Sequence, residues 1–163
     1  MTTDDRKTPE NLGSWHPKIR ELYEYWLKLQ PAGGGLPGRG AFDPMRVAHL
    51  LPHVMLLDVV GRPPRYRYRV IGTRMVDALG GDLTGRWLDE AHVRDGKAPA
   101  FPAYDKVALA GELQWRRGSP HFASYIDKCS EMERVFLPLA GNGKDVDMIL
   151  TIAVFFDRAG NEV

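Results

Sequence analysis

The fold of this chain is decided by its last long apolar segment, residues 145–156, which reads DVDMILTIAVFF. Side chains of a β-strand alternate between two faces. One face would carry the side chains of Val146, Met148, Leu150, Ile152, Val154 and Phe156. The other would carry Ile149, Ala153 and Phe155 and is largely apolar too. A strand that is apolar on both faces is typical of the centre of a covered sheet, so we expect this segment to lie innermost.

Four more strands are indicated upstream by runs rich in β-branched and aromatic residues between turn residues. They are predicted at residues 54–60, 65–71, 112–117 and 131–139. The turn GRPP at 61–64 would join the first two as a hairpin, and Gly141-Asn142-Gly143 would join the last two.

Helical patterns fill the remaining segments. Residues 17 to about 30 carry one apolar stripe, and the PAGGG that follows would act as a hinge. A short helix is predicted between Asp43, as its N-cap, and Pro52, where it would end. Within the insert between the second and third strands, helices are predicted at 73–79, capped by Thr73, and at 100–110.

Hairpins on both sides of a helical insert favour an antiparallel sheet. The predicted fold class is therefore α+β: a five-stranded antiparallel sheet with the insert on one face and an amphipathic helix in front. We expect a poorly ordered N-terminus over residues 1–14 and one domain over 15–163. Within that domain, 15–52 would be an N-terminal helical segment and 53–157 the core.

The ordered set of segments resembles the fifth PAS family, small proteobacterial PAS-like proteins. The matching segments are 42–44 (FDP), 50–53 (LLPH), 57–59 (LDV), 66–73 (YRYRVIGT), 82–86 (DLTGR), 133–139 (ERVFLPL) and 146–150 (VDMIL). This resemblance spans roughly residues 15 to 156. It implies the PAS fold and a sensory role, but it implies no particular ligand.

Composition excludes several other classes of function. Lys and Arg total 22 against 21 Asp and Glu, so a net charge of +1 argues against nucleic acid as a partner. No run approaches the roughly 18 apolar residues of a membrane span, and the N-terminal residues show no signal sequence. The single cysteine is typical of a reducing compartment, so we expect the protein in the cytoplasm.

Cofactor and catalytic signatures are weak throughout. His49 and His53 are four residues apart, but Pro52 between them argues against a metal pair. His92 lies in the insert, where haem-binding PAS domains carry an axial ligand, and a surface or capping role is the alternative. Cys129 lies between strand candidates, outside the insert where flavin photoreceptors of the PAS type carry theirs. We predict no metal site and no catalysis, and the sequence leaves the cofactor unknown, with no evidence for haem or flavin.

A ligand would lie between the sheet and the insert. In the second strand Tyr66, Tyr68 and Val70 are predicted to share one face. The other face would carry Arg65, Arg67 and Arg69. The candidate ligand contacts are Tyr66, Tyr68, Val70, Met75, Leu79, Trp87, Phe101, Tyr104, Phe136 and Leu150. For the tyrosines, plain core packing is the alternative to ligand contact. The segment 82–87 could likewise be a structural turn or part of the site.

Two features are candidate interaction surfaces. Tyr23 and Trp26 lie on the apolar stripe of the first helix, which could cover its own sheet or a second copy of the chain. Arg65, Arg67 and Arg69 could bind an acidic partner or a phosphate, or form a solvated strand face.

Three functions follow from these patterns. The favoured one is a sensor that binds a small molecule, a signalling protein or both, and acts as a homodimer. The second is an interaction module whose interior is filled. The third is an enzyme of the cone-shaped α+β type, for which Asp58 and Asp147 would be the candidate acids or bases.

Overall fold

The computed structural model describes residues 9–120 and 126–163. Within these residues five strands form one sheet: β1 (Val54–Val60), β2 (Arg65–Ile71), β3 (Gln114–Gly118), β4 (Glu131–Leu139) and β5 (Met148–Phe156). Their spatial order is β2-β1-β5-β4-β3, and every neighbouring pair is antiparallel. The last strand therefore lies at the centre, and all its residues are buried. The predicted α+β, PAS-like arrangement is confirmed.

In the described part of the chain, four α-helices surround the sheet: α1 (Pro17–Lys28), α2 (Thr73–Leu79), α3 (Leu88–Ala91) and α4 (Pro102–Ala110). The same residues contain three 3-10 helices, at Leu12–Ser14, Arg39–Ala41 and Pro44–His53. The first of them falls within the range expected to be poorly ordered, and residues 1–8 of that range lie outside the described residues. None of the helices in the described ranges combines the length and the apolar character needed to cross a bilayer.

Two helix boundaries differ from the predictions. The helix after Asp43 does not end at Pro52, because its last turn is of the 3-10 type and the N–H of Val54 still bonds the carbonyl of Leu51. Helix α2 is preceded by Gly72 as its N-cap, so Thr73 is its first residue and not its cap. Asp43 caps as predicted, because its side chain accepts a hydrogen bond from the Met45 amide at 3.0 Å.

Helix α1 packs on its own sheet. Its side chains at 19, 22, 23 and 26 are buried against the face of β5 that carries Leu150 and Ile152. The indole N–H of Trp26 donates to the carbonyl of Pro138 at 2.9 Å. Tyr23 and Trp26 are only 2% and 1% exposed, so their prediction as an interaction surface is wrong: the apolar stripe is used within the domain.

The start of α1 is fixed by a buried carboxylate on β4. Glu133 is fully buried, and one of its oxygens accepts from the backbone N–H of His16 at 2.9 Å and from the indole of Trp115 at 3.0 Å. Its second oxygen pairs with Arg117 at 3.4 Å. Pro17, which has no N–H, occupies the first helical turn as predicted.

The opposite face of the sheet is covered by the insert. Helices α2, α3 and α4 pack over Tyr68, Phe136, Ile149 and Phe155. Since α1 covers one face and the insert covers the other, β5 is shielded on both sides, which explains why its sequence is apolar on both faces.

A register shift between Leu56 and Leu57 interrupts the pairing of β1 with β2. Leu57 pairs with Tyr68 while Leu56 pairs with Val70, so Arg69 is the extra residue of a β-bulge. The shift turns Val70 away from the face of Tyr68, and Val70 is 47% exposed. The predicted strict alternation therefore fails here, and Val70 cannot contact a ligand under the insert.

Candidate functional site

A small cavity lies between the sheet and the insert. Its walls come from the inward sides of β1, β2, β4 and β5 and from all three insert helices. Its volume is about 30 Å³. Since one water occupies roughly 10–15 Å³ on this measure, the closed cavity has room for about two waters. Ligand pockets typically have volumes of roughly 300–1,000 Å³. The cavity would therefore have to widen to admit a ligand of ordinary size.

Three methionines form part of the cavity wall. Met55 on β1, Met75 on α2 and Met132 on β4 all line the cavity. Methionine is unbranched and changes rotamer easily, so walls of this kind adapt to what they enclose. These three methionines could therefore enlarge the cavity without a change in the sheet.

Tyr68 and His92 form a polar pair at the wall. The Tyr68 hydroxyl and His92 Nε2 are 2.7 Å apart, which is hydrogen-bonding distance. Burial lowers the pKa of His92, and the nearby Arg94 and Arg86 lower it further. Burial also raises the pKa of Tyr68 above its usual value. Both groups are therefore neutral near pH 7.

Arg134 brings a positive charge to the cavity. It pairs with Ala153 in the ladder of β4 and β5, and its half-buried side chain lines the cavity on the insert side. Its guanidinium lies 5.4 Å from the centre of the Phe136 ring. Burial lowers the pKa of Arg134 from its very high ordinary value, so the group is a cation at any physiological pH.

Six of the ten predicted ligand contacts do line the cavity: Tyr68, Met75, Leu79, Phe101, Tyr104 and Phe136. Tyr66 is buried beside it, where its ring packs on Tyr104 and its hydroxyl donates to Asp105 at 2.5 Å. Leu150 lies on the α1 face of β5, because the side chains of successive residues point to opposite faces. Its placement in the ligand site is wrong.

Trp87 also lies outside the cavity. It forms a bridge with Arg67, and the guanidinium of Arg65 lies 4.3 Å from the centre of its ring. The tryptophan thus covers the outer strand of the sheet. In the turn before it, Asp82 accepts from both the amide and the hydroxyl of Thr84, which supports the structural interpretation of this segment.

Several lining residues were not among the predicted ligand contacts, above all Arg134 and Met132. Alternation along β4 from Phe136 would have found them, because residues 132, 134 and 136 share the insert face of that strand. His92 was predicted to be either a surface or capping residue or a haem ligand, and its actual neighbour Tyr68 is 24 positions away in sequence.

The arginines of β2 are engaged in ion pairs. Arg65 contacts Asp89 at 2.8 Å and Glu90 at 3.0 Å, while Arg67 and Arg69 approach Asp58 at 3.2 and 3.7 Å. These carboxylates balance much of the local positive charge. They weaken the case for a basic patch that attracts an acidic partner.

The groups considered for catalysis or metal binding are also used within the fold. Asp58 pairs with arginines as described, and Asp147 accepts from the amide of Gly141 at 2.9 Å. His49 contacts Glu21 at 2.8 Å, and His53 Nδ1 lies 3.0 Å from the carbonyl oxygen of Ala153. Burial raises the pKa of the Cys129 thiol, which disfavours the thiolate. Across residues 9–120 and 126–163 there is no cluster of side chains suited to hold a metal.

An antiparallel five-stranded sheet with a helical insert over a central cavity defines a PAS-like α+β module. The chain matches the family model described as a PAS domain, the fifth of that group, over residues 14–154, and it belongs to this PAS domain family. Comparisons with curated proteins and with solved structures gave no match. PAS domains are generally sensory or interaction modules, and this is the broad class of the protein.

Proposed function

We propose that the protein is a sensory PAS module that binds a small molecule beneath its insert, signals to a protein partner and catalyses no reaction. The observation that carries this proposal is the cavity against the central strand, whose walls combine methionines with polar groups. A core that served packing alone would not need Arg134, Tyr68 and His92 along a cavity wall, because burying such groups even in part costs free energy.

The size of the cavity suggests how sensing would work. Because the closed form holds about 30 Å³, a ligand would bind an opened form in which the insert or the methionines have moved. A ligand that binds only one of two conformations shifts the population toward it. Opening of the insert would then be the output of binding.

The central strand offers a route between the cavity and the other face of the sheet. Thr151 and Ala153 line the cavity, while their neighbours Leu150 and Ile152 contact the side of α1. The carbonyl of Ala153 also contacts His53, at the end of the 3-10 helix that precedes β1. We propose that a homodimer or a separate signalling protein, in the cytoplasm, reads changes along this route.

Native mass spectrometry of freshly purified protein tests the proposal, because it reports bound small molecules and subunit number together. A thermal-shift screen against metabolites follows on the same sample. A ligand that raises Tm and changes either subunit number or capture of a partner protein supports sensing. If no compound binds and no partner is captured, the sensory proposal fails.

The small cavity volume favours one alternative, an interaction module with a filled core. This module would dimerise or bind its partner without any small molecule. It predicts a stable subunit number that no compound in the screen alters. The same mass spectra therefore separate the two functions.

A further inference from the structure

We infer that the cavity recognises a small monocarboxylate through Arg134, an inference that rests on the proposed ligand-binding function and names the chemical class of the ligand. The arginines of β3 and β4 differ in their partners. Arg117 pairs with Glu131 and Glu133, and Arg116 donates to Gln114 and to the carbonyl of Trp115. Arg134 differs from both.

Within the described residues, Arg134 makes no ion pair and no hydrogen bond with the protein, and its guanidinium lies over the ring of Phe136. None of the cavity-lining residues is an Asp or a Glu. Arg134 is half-buried and its nitrogens still contact solvent, because they are not among the fully buried polar atoms without a partner. An anion that entered the cavity would therefore meet a cation that no protein carboxylate neutralises, and the cavity is suited to a negatively charged group.

A second donor faces the same space. The Tyr104 hydroxyl has no hydrogen-bond partner among the residues the structure describes, although the tyrosine is buried and lines the cavity beside Phe136. Burial raises the pKa of Tyr104, so its proton is retained and available to donate. Arg134 and Tyr104 together offer two kinds of donor to one anion.

Carboxylate fits these donors better than phosphate or sulfate. The planar guanidinium binds a carboxylate through two parallel hydrogen bonds. Among the described lining residues Arg134 is the one cation, which matches a singly charged carboxylate, whereas a tetrahedral dianion would need more than one cation. The remaining walls are mostly apolar and include Met55, Met75 and Met132, which would suit a short hydrocarbon tail.

Titration calorimetry with sodium propionate, at an ionic strength held constant with sodium chloride, tests the inference. Propionamide is the matched neutral probe, since it has nearly the same shape without the charge. We expect binding of propionate and none of propionamide. Arg134→Gln should weaken propionate binding about tenfold or more, because it removes a charge-assisted pair of hydrogen bonds. Arg46→Gln removes an exposed arginine on the 3-10 helix that precedes β1, away from the cavity lining, and should leave the affinity unchanged.

A stability readout separates recognition from a structural role. If the role of Arg134 is to bind a ligand and not to stabilise the fold, Arg134→Gln should raise the Tm of the unliganded protein, because an unpaired half-buried charge is removed. Arg134→Lys keeps the charge but loses the planar guanidinium and its two parallel donors, so it should retain weak binding. A lower Tm for Arg134→Gln, with unchanged propionate affinity, would overturn the inference.

The remaining outcomes distinguish this inference from the proposed function. Equal binding of propionamide and propionate would refute carboxylate recognition while supporting a ligand-binding cavity. If acetate, propionate, butyrate and hexanoate all fail to bind while another compound class raises Tm, the carboxylate assignment is overturned and sensing stands. If no compound of any class binds and no partner is captured, both fail.

Discussion

Replacing Trp26 with alanine should destabilise the whole domain, because this side chain is part of the core and not of an outer surface. A tryptophan buries about 150–250 Å², which at about 25 cal/mol per Å² corresponds to roughly 4–6 kcal/mol. Measured Trp→Ala substitutions in cores cost about 3–5 kcal/mol. At about 2–4 °C per kcal/mol for a domain of this size, we expect Tm to fall by about 6–20 °C.

Leu27 provides a control on the same helix, because its side chain is 37% exposed. Leu27→Ala should cost less than about 1 kcal/mol, in line with most surface substitutions. Thermal unfolding followed by circular dichroism measures both variants, and size-exclusion chromatography with light scattering measures their subunit number. If Trp26→Ala lowers Tm no more than Leu27→Ala and instead dissociates a dimer, α1 packs on a partner and the assignment of Trp26 to the core is refuted.

Three further predictions concern other parts of the fold. Glu133→Gln should lower the free energy of unfolding in urea by about 1–3 kcal/mol, because the amide disrupts the buried hydrogen bonds to this carboxylate. An unchanged urea midpoint would contradict the role of Glu133 in fixing the start of α1. Gly72→Ala should be destabilising, because an added Cβ would lie 2.1 Å from the Leu51 carbonyl oxygen. Gly81→Ala is the control, because a Cβ at that position would meet open space. Equal Tm values for the two variants would argue against the close approach at Gly72. The pKa of His92 is lowered in the folded state, so its contribution to the free energy of unfolding is complete above the unfolded pKa of 6.5 and is lost as the pH falls through the folded pKa. Between pH 7 and about pH 5, the Tm of the wild type should therefore drop more than that of His92→Asn. Parallel pH profiles of the two Tm values would contradict a lowered pKa for His92.

The strands could be predicted because local sequence determined them. The bounds predicted for β1, β2 and β4 match the structure, since turn residues delimit strongly β-forming runs there. The central position of β5 followed from its two apolar faces. These features depend on periodicity and burial, which a single sequence carries.

The failures occurred where contacts between distant segments decide the structure. The bulge at Arg69 depends on pairing with β1, and alternation within β2 alone could not reveal it. Helix α3 has only four residues, Leu88–Ala91, which is too short for a periodic pattern. The choice of α1 between its own sheet and a second copy required the positions of Pro138 and Glu133, more than 100 residues away.

The candidate site was predicted in part for the same reason. Aromatic residues near the insert pointed to a region under it, and most of them do line the cavity. The charged member was missed, because Arg134 differs from Arg116 and Arg117 on the neighbouring strand through the acceptors it lacks. A missing partner among the described residues is a property of the assembled fold and cannot be recognised in a segment of sequence.

Methyl NMR of protein labelled with ¹³C at the methionine methyl groups tests the central claim, ligand binding beneath the insert, most directly. Met55, Met75 and Met132 line the cavity, whereas Met148 lies on the α1 face and Met45 is 76% exposed, so the chain carries its own controls. On titration with a compound that raises Tm, the three cavity methyl signals should shift together while those of Met45 and Met148 move little. Shifts confined to Met45 or Met148, with the cavity signals unchanged, would contradict it.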